Sequence, residues 1–260
     1  MSKHAQPLVF IDVETNGLNY SRGSIIEIAA LRYENGKIVD SLTTFLNPGG
    51  AIPYNITKLT GITTEDVESA PSFADISDDL LALCEGAIMV AHNVRFDYSF
   101  VRQEFKRLDK SFKPKLLCTV KLSKYFYPMQ RRHRLHDIIH HHGLTFEHRH
   151  RANDDAHVLV QLWEKLLSTF SSEQIESALA AQIQAPSIPR HLNPAEMRAL
   201  PTGAGVYMFN DEKGMPVYIG KSINIKKRVL SHFTRDTTEY KEFKISQAVR
   251  RETIQQTAGQ

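Results

Sequence analysis

Two carboxylates placed two residues apart are the first candidates for chemistry in this chain. Asp12 and Glu14 follow the apolar run Leu8-Val9-Phe10-Ile11, and on an extended segment residues i and i+2 project to the same side. Two such acids repel each other and resist desolvation unless a positive charge lies between them. A divalent cation supplies that charge, because Mg²⁺ and Mn²⁺ take carboxylate oxygens; an acidic strand end turned to solvent is the alternative. Asp97 follows Ala91-His92-Asn93-Val94-Arg95-Phe96, where it could serve a metal or the positive end of a helix dipole. Asn153-Asp154-Asp155, behind His150 and Arg151, could cap a helix or complete a site. Each signal alone leaves both readings open.

The elements that hold these residues follow from apolar patterning. Residues 8–12 read as a short buried strand. Ser24–Tyr33 and Lys37–Leu46 read as two more strands, joined through the hairpin signal Asn35-Gly36. Ser72 and Asp75 open a helix through Leu83, with Phe73, Ile76, Leu80 and Leu83 at helical spacing. Ala87–Ala91 and Leu116–Thr119 are strand candidates; Phe96–Leu108, Leu135–His142 and Asn153–Phe170 are helix candidates. Three strands first, then strands alternating with helices, predict an α/β fold. Its sheet is mixed, three antiparallel strands followed by parallel ones, and flanked by helices. Past Ser171 a helix over Glu173–Gln184 gives way to Pro186, Pro189, Pro194 and Pro201, which read as a semi-rigid linker. A small hairpin at Val206–Asn210 and Val217–Gly220 and a basic helix at Asn224–Phe233 come next. The predicted division is a domain over 1–170, a helical and proline-containing linker over 171–201, and a small incomplete α+β module over 202–260.

Composition narrows the class. The 260 residues are 42% hydrophobic and 23% charged, which excludes wholesale disorder. The apolar runs fall far short of the roughly 20 residues a membrane helix needs, and the first residues lack the apolar core of a signal peptide. The expectation is a cytoplasmic protein with no membrane partner. Cys84 and Cys118 are far apart, which argues against a disulfide scaffold or a zinc knuckle. Basic residues crowd Arg102 to Arg134, eleven against Glu104 and Asp109; the run is either a solvated face or a surface that neutralises phosphates. Eight of the twelve histidines lie between His133 and His157, without the spacing of a structural zinc site, and read as surface or partly buried side chains apart from His150.

Taken together, Asp12, Glu14, Asp97, His150 and Asp155 stand in an order and spacing that resembles the DEDDh 3′–5′ exonucleases. The match is close to the proofreading type, resembling the epsilon subunit of bacterial DNA polymerase III. Phe10-Ile11-Asp12-Val13-Glu14-Thr15-Asn16-Gly17-Leu18, Thr60-Gly61-Ile62-Thr63 and His92-Asn93-Val94-Arg95-Phe96-Asp97 carry the likeness, which covers about residues 7–170. It implies an RNase H-like fold and two divalent cations, Mg²⁺ or Mn²⁺, held by Asp12, Glu14, Asp97 and Asp155, with His150 as general base. It also implies that Thr15, Thr60, His92, Asn93 and Phe96 meet the substrate, with Phe96 stacking on the last nucleotide. Thr60 stands where many members of that family carry His. The implied substrate is DNA with a single-stranded or frayed 3′ end, cut to nucleoside 5′-monophosphates. RNA on the same scaffold and a non-catalytic DNA-binding tether are the alternatives.

Gly205-Val206-Tyr207 and Tyr218-Ile219-Gly220, followed by Lys221, Asn224, Lys227 and Arg228, resemble the start of a GIY-YIG nuclease domain of the UvrC type. The resemblance sets Tyr207, Tyr218, Lys221 and Arg228 around a phosphate. That family's metal-binding glutamate lies on a later helix, beyond Gln260, and Glu252 stands too early for it. The expectation is a module that does not cut by that family's mechanism, whatever affinity for DNA it keeps, and that buries little apolar surface. The pairing of the two modules points to DNA repair, with a repair complex or a DNA polymerase as the expected partner.

Overall fold

The computed structural model describes residues 6–147, 151–183, 188–189, 191–234, 245 and 248–256. The chain divides into two compact units, Met1–Ile183 and Gln184–Gln260.

The first unit is built on strands β1 (Leu8–Thr15), β2 (Ile25–Glu34), β3 (Lys37–Phe45), β4 (Ile88–Ala91) and β5 (Lys115–Cys118) in the order β3-β2-β1-β4-β5. β1, β2 and β3 are antiparallel, whereas β4 and β5 run parallel to β1. The β2–β3 hairpin turns on Asn35 and Gly36, both at positive φ (52° and 85°), as an Asn-Gly turn of this twist requires. Helices α1 (Tyr54–Thr60), α2 (Thr64–Glu68) and α3 (Phe73–Cys84) precede β4, and α4 (Arg95–Arg107) links it to β5. Then come α5 (Thr119–Phe126), α6 (Leu135–His142), α7 (Ala152–Thr169) and α8 (Ser172–Ile183). This is the mixed α/β architecture expected.

Alternation along the strands creates the surface that α7 covers. Leu8 and Phe10 of β1, Ala29, Leu31 and Tyr33 of β2, Val90 and Leu117 share one buried cluster with Ala152, Ala156, Leu159 and Trp163 of α7. Ile175, Ala178 and Leu179 of α8 join the same cluster. Each large side chain so buried contributes about 1.5–3 kcal/mol, so α7 is seated by its apolar stripe rather than by the polar groups at its end. On the sheet's other face Ile26 packs with Ile52, Ile56, Ile62 and Val67.

Two differences from the sequence expectations affect the site. β1 continues past Asp12 to Thr15, paired with β2 through Asp12↔Ala29 and Glu14↔Glu27, so both acids sit on a laddered strand rather than at its frayed end. Thr119 opens α5 instead of closing a strand; two helical turns are too few residues for a 3.6-residue period to show in sequence.

The second unit holds α9 (Pro194–Ala199), β6 (Gly205–Asn210), β7 (Pro216–Ser222), α10 (Ile225–Thr234) and β8 (Arg251–Gln256), with the sheet ordered β7-β6-β8. It has a core of its own, in which Tyr207, Phe209, Ile225, Val229 and Phe233 are at most 1% exposed. The expectation of little buried surface is therefore corrected. The proline-containing stretch supplies Ile188, Leu192, Met197 and Leu200 to that core, and Pro194 begins α9 at a position where its missing N–H costs nothing. β8 has one large apolar residue, Ile254, and is held by its ladder with β6. Among the described residues, no helix is long and apolar enough to cross a membrane.

Candidate active site

The face of β1 that packs Leu8 and Phe10 against α7 continues, two residues at a time, to Asp12 and Glu14. The first turn of α7 carries Asp155, and Ala152 and Ala156, both fully buried, let that end of the helix approach the sheet closely. One carboxylate oxygen from each of Asp12, Glu14 and Asp155 lies within 4.8 Å of the others. Asp97 reaches the same end of the sheet from the first turn of α4 and is 3% exposed. The β1–β4 pairing stops at Phe10↔Val90, which leaves the backbone of β1 open on that side, and the Asp97 carboxylate accepts the N–H of Val13 there.

The electrostatics of this cluster are those of a cation site, in which neighbouring carboxylates press on one another. Burial, then Asp97, Asp155, Glu14 and Glu27, push the Asp12 carboxyl well above the carboxylate range. Burial, Asp155 and Glu27 push Glu14 up to about 8, while Arg151 pulls it down. Burial also raises Asp97, against the hydrogen bonds from its own N–H and that of Val13, with Glu14 and Asp155 adding to the rise. Neighbouring buried acids of this kind are either protonated or neutralised by a cation. An all-carboxylate donor set suits a hard divalent ion such as Mg²⁺ or Mn²⁺, and Asp12, Glu14 and Asp155 are the residues that could hold it.

A brace beside the cluster escaped sequence reading. Glu27, 2% exposed on β2, accepts Arg151 Nε at 3.1 Å and Nη2 at 2.9 Å on one oxygen, and the Ala152 N–H at 3.1 Å on the other. Arg151 lies over the Phe45 ring, 5.0 Å from its centroid, and Asn153 accepts the Thr43 hydroxyl at 3.3 Å. The head of α7 is thereby tied to β2 and β3 at the level of Asp155. The signal was present in sequence as one acid inside Ile25-Ile26-Glu27-Ile28-Ala29, where a charge is tolerated only with a partner.

Of the other predicted residues, His150 lies outside the described residues. Thr15 is buried beside the acids and donates its hydroxyl to the Gly17 carbonyl. Thr60 uses its hydroxyl within its own turn, donating to Ile56 and accepting the Ile62 N–H. His92 Nδ1 is hydrogen bonded to Thr119 Oγ1 at 2.9 Å. Asn93 turns the β4–α4 joint at φ 74°, and the half-buried Phe96 ring packs 5.0 Å from that of Phe100. Among the described residues, Asp12, Glu14 and Asp155 form the one group of three His, Cys, Asp or Glu side chains close enough to share an ion. The histidines of α6 form no second such group. Cys84 and Cys118 are free and buried.

In the second unit, the Tyr207 hydroxyl and His232 Nε2 are hydrogen bonded at 2.6 Å. The Tyr207 and Tyr218 rings lie 5.9 Å apart, and Arg228 hydrogen bonds to both tyrosines. Burial, then Tyr218, pushes the Tyr207 hydroxyl up to about 12, against Arg228. Gly220 has no room for a side chain: a Cβ there would collide with the ring and hydroxyl of Tyr207. His232, 2% exposed, is a member of this cluster that the motif did not point to. Lys221 is exposed, opposite Val206 on β6.

Comparison with known proteins finds a match for each of the two units. Residues 9–163, more than half of the chain, match the Exonuclease family RNase_T, and residues 203–258 match the UvrC-like GIY-YIG domain. The PolC-type DNA polymerase III of Caldanaerobacter subterraneus subsp. tengcongensis is 32% identical over 207 residues, covering 80% of this chain and 14% of that protein. The 3′-5′ exonuclease DinG of Bacillus subtilis is 35% identical over 167 residues, 62% of this chain and 18% of that protein. The chain thus spans less than a fifth of the length of either. Among solved structures, Exonuclease X in complex with 5′ overhanging duplex DNA has a TM-score of 0.52 at 25% identity, over 66% of this chain and 98% of that one. Exonuclease I, at 15% identity and a TM-score of 0.61 over 79% of this chain and 48% of that one, shares the fold. Nucleases of this type use divalent metals, which is what the acidic cluster is composed to bind. The chain belongs to the Exonuclease (RNase_T) family and carries a UvrC-like GIY-YIG domain after it.

Proposed function

We propose that this chain is a metal-dependent 3′–5′ exodeoxyribonuclease that releases nucleoside 5′-monophosphates from single-stranded or frayed DNA 3′ ends. In this reading it works in DNA repair or proofreading beside a repair complex or a polymerase. The observation that carries the reading is the meeting of Asp12, Glu14 and Asp155 oxygens within 4.8 Å at one end of the sheet, with Asp97 buried beside them. Asp12, Glu14, Asp155 and Asp97 would hold two divalent cations, which when bound activate water and offset charge on the leaving 3′ oxygen. The protein's own part is positional. The β1–β2 ladder and the head of α7 hold three carboxylates side by side. His150 would accept the proton of the attacking water at a ring nitrogen, since an imidazole titrates near working pH. Thr15 and the adjoining backbone would hold the terminal 3′ hydroxyl, and Phe96 would stack on the last base. His92, Asn93 and Thr60 would shape the walls of the same pocket. Tyr207, Tyr218, Lys221 and Arg228 would hold DNA backbone in the second unit. The names of DinG and of the PolC-type polymerase support the DNA reading.

The test is trimming of 3′-labelled and 5′-labelled oligonucleotides, as matched DNA and RNA, with Mg²⁺, Mn²⁺ or EDTA. A 5′-labelled DNA ladder that shortens stepwise only with metal, and is lost in Asp12→Ala and His150→Ala, is expected. Internal cuts, equal activity in EDTA, or preference for RNA would each refute a named part of the proposal.

A further inference from the structure

Helix α4 sorts its charges by side. Its two acids turn inward: Asp97 and Glu104 are 3% and 7% exposed, the first at the acidic cluster and the second bound to Arg107 at 2.7 Å. Its outer side carries Arg102 and Lys106, and Arg95, Arg102 and Lys106 fall on one stripe because i, i+7 and i+11 nearly coincide at 3.6 residues per turn. At the catalytic end of that stripe, Arg95 adjoins Lys121 and Lys124 of α5 closely enough for the cations to act on one another electrostatically. At the far end, the stripe opens into a groove of about 290 Å³, lined by Arg102, Lys106, Lys110 and Lys113 with Asp109 as its single acid. Lys110 is committed to Ser77 and Asp78, and Arg107 to Glu104 and Gly23. Arg102 leans over the Tyr98 ring. Neither it nor Lys106 or Lys113 has an ion-pair partner among the described residues.

A single-sign helix face can be offset by a neighbour, as the three acids of α3, Asp75, Asp78 and Asp79, are by Lys110 on Asp78, but no acid offsets Arg102, Lys106 or Lys113 in this way among the described residues. The helix dipole accounts for cations in the last turn of α4, hence for Lys106 and Arg107. It does not account for Arg102, a full turn earlier, or for Lys113, beyond the helix. A row of cations that starts beside the acidic cluster and leads away from it to Arg102, Lys106 and Lys113 fits the phosphate backbone of a strand whose end lies in that cluster.

We infer that Arg102, Lys106 and Lys113 form a phosphate track that holds the substrate strand behind its 3′ end, on the outer side of α4. The inference rests on the proposed exonuclease reading and adds where the rest of the strand lies. From Asp97 to Lys106 the helix rises roughly 14 Å at 1.5 Å per residue, which equals about four phosphates at the spacing of roughly 3.4 Å per strand of duplex DNA. Arg102, five residues from Asp97, lies roughly 7.5 Å along the helix, about two phosphates, so a trinucleotide with its two linkages ends where the track begins.

The experiment compares the parent chain with the triple variant Arg102→Gln, Lys106→Gln, Lys113→Gln and with an off-track control, Lys37→Gln, Lys165→Gln. Binding of a 20-nucleotide single strand is followed by fluorescence anisotropy across a salt series, in an Asp12→Ala background so that the strand is not consumed. Trimming of a 20-mer and of a trinucleotide is followed in the active chain. Losing three contacts is expected to lower the slope of log K against log salt by about 2, at roughly 0.7 per phosphate for single strands. KM for the 20-mer rises with kcat unchanged, and the trinucleotide is trimmed as by the parent. An unchanged slope in the triple variant, or an equal loss per charge in the control, overturns the track while a parent chain that trims 3′ ends leaves the functional reading standing. A parent chain that trims nothing overturns both.

Discussion

Replacing Arg151 with Met isolates what the brace on α7 contributes, and the structure sets the size of the effect. The Glu27 and Arg151 side chains are 3% and 42% exposed and meet at 2.9 Å. Removing one partner of a fully buried pair costs about 3–5 kcal/mol, whereas exposed pairs contribute at most about 1 kcal/mol. Here the abandoned carboxylate stays buried with the Ala152 N–H alone, but water can enter where the half-exposed guanidinium stood. The loss therefore falls between, at about 2–3 kcal/mol, with roughly 0.5 kcal/mol more from uncovering the Phe45 face. Glu27→Gln keeps an acceptor for Ala152 and removes one of the acids pressing on Asp12 and Glu14, so it should cost only about 1 kcal/mol. The double variant should then be about 1.5 kcal/mol better than the sum, because no buried charge is left behind. Trp163 is the chain's one tryptophan and lies 2% exposed on α7, so its fluorescence in urea at pH 7.5 with EDTA reports the first unit alone. Single losses that add to the double within about 0.5 kcal/mol would show that the two residues do not act as a pair.

The remaining predictions concern titration, close packing and thiol access. Without metal, Glu14 holds its proton to about pH 8 when folded, against 4.5 as a free side chain, so the folded chain binds a proton that the unfolded chain has released. Stability should fall as pH rises between about 4.5 and 8, by up to roughly 1.4 kcal/mol per pH unit. Saturating Mg²⁺ should restore it at pH 8, and a metal-free Tm that is flat from pH 6 to 8 would contradict this. Gly220→Ala drives a methyl into Tyr207 and should destabilise the second unit by about 1–3 kcal/mol; unchanged hydrogen exchange along β6 and β7 would refute the collision. Burial pushes the Cys84 thiol up to about 12, against the nearby Arg32, so a disulfide reagent at pH 8 should label it in urea and not in the folded chain. Rapid labelling of native Cys84 would show that this part of the fold opens.

What the sequence showed of the site depended on how local each signal was. Asp12 and Glu14 announced themselves by a period of two on an apolar strand, and the Asn35-Gly36 turn fixed the β2–β3 hairpin but not the β1–β2 register that pairs Glu14 with Glu27. The pairing itself, and so the partnership of Glu27 with a residue 124 positions away, is a property of register and helix docking that no window of sequence contains. His232 was invisible for the same reason, since its contact with Tyr207 crosses from α10 to β6. The missed helix α5 and strand β8 are short elements whose pattern is too brief or too polar to signal, and both are held by neighbours instead. Thr60 was legible as part of a motif, but its hydroxyl is spent on the turn that ends α1.

One helix serves both ends of the proposed chemistry, and its packing explains how. The rotation of α4 is fixed by Phe100 and Phe105, both fully buried, with Phe105 stacked against Phe112 at 4.8 Å and edge-on to Phe73 at 5.1 Å. That rotation sends Asp97 toward β1 and leaves the Arg102–Lys106 side facing out. A turn of about 100° either way would cost those ring contacts, withdraw the acid from the cluster and bury a cation in its place. The aromatic packing thus sets the position of an acid in the cluster and of the cations outside it with a single degree of freedom. Metal demand at one end and attraction for phosphate along the other side arise from the same core.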